Sequence, residues 1–153
     1  MKHMLTVTLV TIGLVVAQSA VHHPATAQGA VRYRVRITNP TNAQTFTPVL
    51  AATHSSGATM FIEGTRASAE LRALAEGGDV APLMMLLSGN PAVADIQATG
   101  GLLRHEASTK FETNGGGASD RLSLAAILIP TNDAFLGVNT TPRWTARSRC
   151  HQP

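Results

Sequence analysis

The 153-residue chain has one cysteine, Cys150, and very little charge or aromatic content: 14% of residues are Asp, Glu, Lys or Arg and 4% are Phe, Trp or Tyr. A single thiol excludes an intrachain disulfide framework and a cysteine-based zinc cluster, because each needs at least two thiols. So few charges exclude a coiled coil, whose solvated faces are built from them. What is plentiful is apolar side chain (44%), glycine (13) and proline (8). That balance suits short strands and turns in one domain, since cores much smaller than this cannot offset chain entropy.

Long apolar runs are also scarce. The longest, Met4 to Ala17, follows the short positive start Met1-Lys2-His3 and precedes Ala25-Thr26-Ala27, a small-x-small site of the kind a signal peptidase accepts. Its roughly fourteen residues at ~1.5 Å each reach about 21 Å, short of a hydrocarbon core of about 30 Å. Residues 1–27 therefore read as a secretory signal peptide rather than an anchor, with the mature chain starting at Gln28 and exported to a periplasm or the exterior. The formal charge of +3 is unevenly placed: Gln28 to Thr141 holds eight Lys/Arg against nine Asp/Glu, while Arg143, Arg147 and Arg149 crowd the end. The one basic cluster in the body, Arg32-Tyr33-Arg34-Val35-Arg36, is three charges on one face of a strand, which reads as a solvated face rather than a nucleic-acid footprint.

Val31 to Thr38 alternates apolar and polar over eight residues, predicting a strand with Val31, Tyr33, Val35 and Ile37 buried, turned by Asn39-Pro40-Thr41-Asn42. Thr45 to Thr53 predicts a second strand with a bulge or edge at Pro48, and Thr59 to Ile62 a short third. The period then changes. Ser68 to Glu76 places Leu71, Leu74 and Ala75 on one helical face with Ser68 as N-cap and Gly77-Gly78 as the stop; a second short helix starts near Asp79 and ends at Gly89-Asn90-Pro91. Ala107 to Thr113 returns to alternation, and Leu122 to Ile129 is apolar throughout, the pattern of a strand covered on both faces. The glycine-rich Asn114 to Ser119 between them predicts a loose hairpin. No period of twenty to fifty residues repeats, which excludes solenoids and propellers.

Catalytic signatures are mostly absent: there is no Gly-x-Ser-x-Gly elbow and no phosphate loop, and His105-Glu106 lacks the second histidine of a zincin helix. His54-Ser55-Ser56 sets a base beside hydroxyls, but neighbours on a strand point to opposite faces, so hydrogen bonding in a turn explains them better. Cys150 reads as an incidental thiol and Asn139-Thr140-Thr141 as a chance match to a glycosylation acceptor. Gly115-Gly116-Gly117 connects strands and precedes no helix, so it reads as a loop tip rather than an anion cradle. Two carboxylates flank the expected hairpin, Glu112 at the end of one strand and Asp133 in the loop closing the other. Oxygen ligands gathered at one end of a sandwich are what a hard cation such as Ca²⁺ takes, although most loop acids are merely solvated or cap a turn.

Several segments resemble the spondin N-terminal domain family, in its secreted bacterial form: Tyr33 to Asn39 its opening strand, Pro48 to His54 its second segment, Leu71 to Gly78 its Leu-x-x-Leu-Ala-Glu-x-Gly helix, and Pro130-Thr131-Asn132-Asp133-Ala134-Phe135-Leu136-Gly137 its signature loop. The resemblance covers roughly residues 31 to 139. It implies an all-β fold, an antiparallel β-sandwich of C2-like topology with one or two short inserted helices. It also implies an extracellular matrix or adhesion role, as in animal members, and a calcium ion at one end of the sandwich, with Asp133 and Glu112 at the positions of family acids. A further family acid, in a Tyr-Asp-Ala-Gly-Thr motif, has no counterpart here, so the implied Ca²⁺ site is weak. From Val138 onward strand alternation stops, so residues 142–153 are expected to form a divergent, poorly ordered tail after a domain spanning 28–141.

The expectation is therefore a secreted or periplasmic, non-enzymatic domain that binds an extracellular protein or glycan, with no nucleic acid and no membrane span after signal cleavage. The alternative is a carbohydrate-binding module. Sugar sites usually present exposed aromatic rings, and Trp144, Tyr33 and four phenylalanines, mostly at expected core positions, supply few.

Overall fold

The computed structural model describes residues 31–131 and 134–142. The element order is β1 (Val31–Thr38), β2 (Thr45–Phe46), β3 (Leu50–His54), α1 (Ala69–Gly77), α2 (Ala81–Ser88), β4 (Val93–Ala98), β5 (Ser108–Gly115), β6 (Arg121–Ile129) and β7 (Phe135–Pro142). All ladders are antiparallel. The expected all-β sandwich is what forms, with unequal leaves: a two-stranded ribbon of β1 and β5, and a five-stranded sheet centred on β6.

β6 explains the layering. Its sequence, Arg-Leu-Ser-Leu-Ala-Ala-Ile-Leu-Ile, has apolar residues at successive positions, so both faces must be covered. Ala125 and Ile127 join Leu50 and Ala52 of β3 on one face, where Leu71 and Leu74 of α1 and Leu83 and Leu87 of α2 pack. Ala126 turns to the other face with Phe46 and Val49, beneath Ile37 of β1, and Leu124 and Leu128 flank this second core together with Phe111 of β5. The molecule is thus helices, sheet and ribbon, with two cores sharing one strand. No helix among the described residues is long and apolar enough to cross a membrane.

β5 and β6 do not form the expected hairpin. β5 pairs along its whole length with β1, from Val31 opposite Gly115 to Thr38 opposite Ser108, and β6 pairs with β2, β3 and β7. The physical reason lies in their patterns. β5 alternates and needs one covered face, β6 needs two, and the connection through Gly116, bonded to Ser119 in both directions, carries the chain from one leaf to the other. β1 has the expected alternation, with the arginines outside, but of the four residues expected to be buried only Ile37 is; Tyr33 and Val35 are half-buried and Val31 at the start is exposed. Residues 59–62 are not a strand, while β4 has no counterpart in the expected elements. β4 alternates Asp95 and Gln97 with Ala94, Ile96 and Ala98, and with alanine and aspartate, both weak strand formers, in so short a run its composition does not announce a strand.

The helices follow their caps. The Ser68 hydroxyl accepts from the Leu71 N–H at 3.2 Å, and Gly78 takes the left-handed conformation (φ 69°) that ends α1. Hydrogen bonds from its own backbone N–H and from Ser68 hold the Glu70 carboxyl below the usual glutamate range, consistent with an acid at the positive end of a helix. Asp79 accepts from the Ala81 N–H at 3.0 Å at the start of α2, and Pro82 sits in its first turn.

The irregularity expected at Pro48 is present. β2 and β3 lie along the same edge of β6 but in registers one residue apart, Phe46 opposite Leu128 and Leu50 opposite Ala125. Across the shift, the Thr47 N–H donates to the Ile127 carbonyl at 3.1 Å and the Ile127 N–H donates to the Thr47 hydroxyl at 3.1 Å, so a side chain replaces a ladder carbonyl. Thr47→Val keeps the shape and leaves a buried N–H unpaired. It should destabilise the protein by about 1–3 kcal/mol, measured by urea unfolding; a stability equal to that of the wild type would contradict this account.

Candidate functional site

The outer face of the β1/β5 ribbon carries most of the exposed charge on these strands. Alternation puts Arg32, Arg34 and Arg36 on this face of β1, about 6.7 Å apart along the strand. Register sets Glu112 opposite Arg34 and Lys110 opposite Arg36. The Glu112 carboxylate is bracketed by two guanidinium groups, Arg32 Nη1 at 3.4 Å and Arg34 Nη2 at 3.2 Å. These pairs are exposed, so each contributes little to stability. Arg36 Nη2 donates to the Ser108 hydroxyl at 3.2 Å. The face therefore presents four cations against one carboxylate, and the Arg36–Lys110 pair sets like charges directly across from each other, an arrangement that disfavours folding.

Of the two carboxylates implicated in calcium binding, Asp133 lies outside the described residues. Glu112 serves two arginines, and to hold a cation it would have to exchange both guanidinium partners for the ion. Among the described residues no three His, Cys, Asp or Glu side chains gather as a metal centre would require.

The inward-facing acid is Asp95, which composition did not single out. Its Oδ2 accepts from the Asn114 N–H at 2.7 Å, the Thr113 hydroxyl at 3.2 Å and the Asn114 side-chain amide at 3.3 Å. The Thr53 hydroxyl bonds to the Asn114 carbonyl, and the Gln97 amide donates to the Glu112 carbonyl. The polar positions of β4 thus stitch the sheet to the ribbon, which is why a strand with Asp and Gln at alternate positions is stable there.

His54 is not paired with its sequence neighbours as a base. Its Nδ1 lies 2.7 Å from the Ser55 carbonyl, which can only accept, so Nδ1 carries the proton and Nε2 accepts from the Ser123 hydroxyl at 2.8 Å. Ser55 itself serves the turn, its hydroxyl accepting from Gly57 N–H. His54 and Ser123 are 1% and 0% exposed, so this histidine and hydroxyl are sealed from any substrate. The remaining His and acid candidates are apart from them: His105 and Glu106 are exposed in the connection before β5, and Asp120 lies beside Arg121, 3.8 Å from its Nε. Cys150, His151 and Trp144 lie outside the described residues.

Ser123 also anchors a bulge in β7. Leu122 pairs with Thr141 and Leu124 with Val138, so Asn139 and Thr140 together oppose Ser123. Thr140 adopts φ 51°, and its N–H donates to the Ser123 hydroxyl at 2.9 Å. The bulge frees the Asn139 side chain, whose Oδ1 accepts from the Met60 N–H at 3.3 Å and whose amide donates to the Phe61 carbonyl. One amide therefore supplies residues 60–61 with the backbone partners a neighbouring strand would give them. It also ties up the nitrogen that the Asn139-Thr140-Thr141 acceptor motif would modify. β7 runs through Pro142, so the strand continues past Val138, where alternation alone ends it, and the bulge is the reason. The tail from 143 lies outside the described residues, as do the leader and its cleavage site.

Ser123→Ala would strand His54 Nε2 and the Thr140 N–H together. The expected loss is about 2–4 kcal/mol, read by chemical denaturation. A loss no larger than that of an exposed serine substitution, such as Ser108→Ala, would show that the bulge does not depend on this hydroxyl.

A comparison with curated proteins returns no match. The Spondin_N family model matches residues 36–143, from the second half of β1 to just beyond β7, including the sheet, both helices and the bulge. With most of its length matched, the chain belongs to the Spondin_N family.

Proposed function

We propose that this is a secreted, non-enzymatic domain that binds an acidic partner at the cell surface or in the extracellular matrix through the outer face of the β1/β5 ribbon. Membership of the Spondin_N family points to an extracellular domain. The observation that carries the finer reading is the Arg36–Lys110 cross-strand pair, flanked by Arg32 and Arg34. Like charges set opposite each other weaken the ladder, and an anionic partner would turn that cost into binding energy. An exposed ladder suits an extended surface rather than an enclosed substrate, and the burial of His54 and Ser123 is consistent with a binding role.

The test is retention of the exported protein on immobilised dextran sulfate, used as a model extended polyanion, against Arg36→Glu/Lys110→Glu. Wild type should be retained and released by rising salt, with the double variant weakened by roughly tenfold or more. Equal retention of the two, or none by wild type at low salt, would defeat the proposal.

Calcium is a separable part of this reading, resting on Asp133 with Glu112. Binding should be weak, on the order of 10⁻⁴ to 10⁻³ M as in extracellular modules, because Glu112 must first release its arginines. Millimolar calcium should then raise the melting temperature of wild type and not of Asp133→Ala. Identical responses would remove the site.

A further inference from the structure

Between β3 and α1 the chain makes an excursion over the outer part of the sheet, and beneath it lies a hollow of about 470 Å³. Its lining is mostly apolar: Met60, Phe61 and Ile62 from the excursion, Leu71 of α1, Leu86 of α2 and Phe135 of β7. The volume lies within the roughly 300–1,000 Å³ of small-molecule pockets. Two large apolar side chains stand at its lip in solvent, Ile62 at 62% and Leu86 at 53% exposure. Leu86 belongs to a helix with no charged residue, Ala-Pro-Leu-Met-Met-Leu-Leu-Ser, although only Leu83 and Leu87 are buried in the core. A surface helix usually turns a polar face outward, and this one does not.

The wall is held by specific contacts. The Asn139 side chain fixes the backbone of Met60 and Phe61. The Phe61 ring packs edge-on against Phe135 with centroids 5.5 Å apart, and it lies directly over Gly137, where a Cβ would come within 2.7 Å of it. Next along the chain, Thr65 closes a turn by donating its N–H (3.2 Å) and its hydroxyl (2.7 Å) to the Ile62 carbonyl, with Gly64 at φ 77°. This turn holds Ile62 at the lip.

The polar groups around the hollow are engaged with the chain itself. The Thr59 hydroxyl bonds to the Phe61 carbonyl at 2.8 Å, that of Thr65 to Ile62, and that of Ser68 caps Leu71. Glu63 and Arg66 at the rim are both exposed and cancel in sign. Among the described residues the hollow thus offers apolar surface in a preformed concave shape, with no net charge and no free hydroxyl pointing to a polar guest. We propose that it is a binding site for a neutral, mostly apolar small molecule, such as a compact aromatic or a short acyl compound. Such a guest gains by leaving water, and Ile62 and Leu86 gain by being covered.

N-phenyl-1-naphthylamine, a neutral aromatic probe whose emission rises on leaving water, tests this with the full secreted chain. The expected result is saturable binding of one probe per chain, weakened roughly tenfold or more by Leu86→Asp, which sets a charge at the apolar lip. Leu102→Asp, at an equally exposed leucine remote from the hollow, should bind as wild type does. Ile62→Asp provides a second lip variant should the first lose its cooperative melting transition. No saturable binding, equal binding by both lip variants and wild type, or equal weakening by Leu102→Asp would overturn the proposal. So would sedimentation showing that wild type self-associates and both lip variants are monomers, because the occupant would then be a second copy of the chain.

Discussion

Strand β6 is apolar on both faces, and the rest of the architecture follows from covering it. A nine-residue strand with Ala125 and Ile127 on one side and Leu124, Ala126 and Leu128 on the other cannot sit at a solvent boundary. The two short helices meet one demand and the β1/β5 ribbon meets the other. The helices are therefore the lid of one core, and their leucines are as much a part of the sheet's stability as β3 is. Because β6 is shared, both cores are built on the same backbone.

Covering both faces leaves the places where ladders break. At Pro48 a threonine hydroxyl stands in for a carbonyl, at Ser123 a hydroxyl receives the N–H displaced by the β7 bulge, and at Asn139 an amide replaces a missing strand for residues 60–61. Each is a short polar side chain at a position where the backbone pairing fails; Thr47 and Ser123 are buried and Asn139 is half-buried. An unpaired group at such depth costs more than a bond contributes, which is why these substitutions of side chain for backbone are worth keeping. The irregularities also shape the surface: the β7 bulge releases Asn139, Asn139 holds the excursion, and the excursion forms the wall of the apolar hollow.

The charges are distributed by a different logic. Asp95 points inward and is satisfied by β5, whereas the arginines of β1 point outward, with Glu112 shared between two of them. The unshared Lys110 and its neighbour Arg36 face solvent. Folding accounts for the position of Asp95 and gives no account of the Arg36–Lys110 pair.

The alternation of Val31 to Thr38, the doubly apolar β6, the helix caps at Ser68 and Gly78 and the break at Pro48 were all legible in the sequence, because each is a local rule of period, capping or ring geometry. Strand β4 was not, since Asp95 and Gln97 look like loop residues until β5 is there to receive them. Nor was the partner of β5: adjacency in sequence suggested β6, and only the burial demands of three dimensions assigned it to β1, some eighty residues away. The buried His54–Ser123 pair and the Asn139 clamp were equally invisible, as both join residues about seventy to eighty positions apart. The sequence by itself determined which segments extend, which coil and which faces must be dry. Tertiary structure alone decided which polar atoms meet and where hollows remain, because those depend on registers and bulges set by packing over the whole sheet.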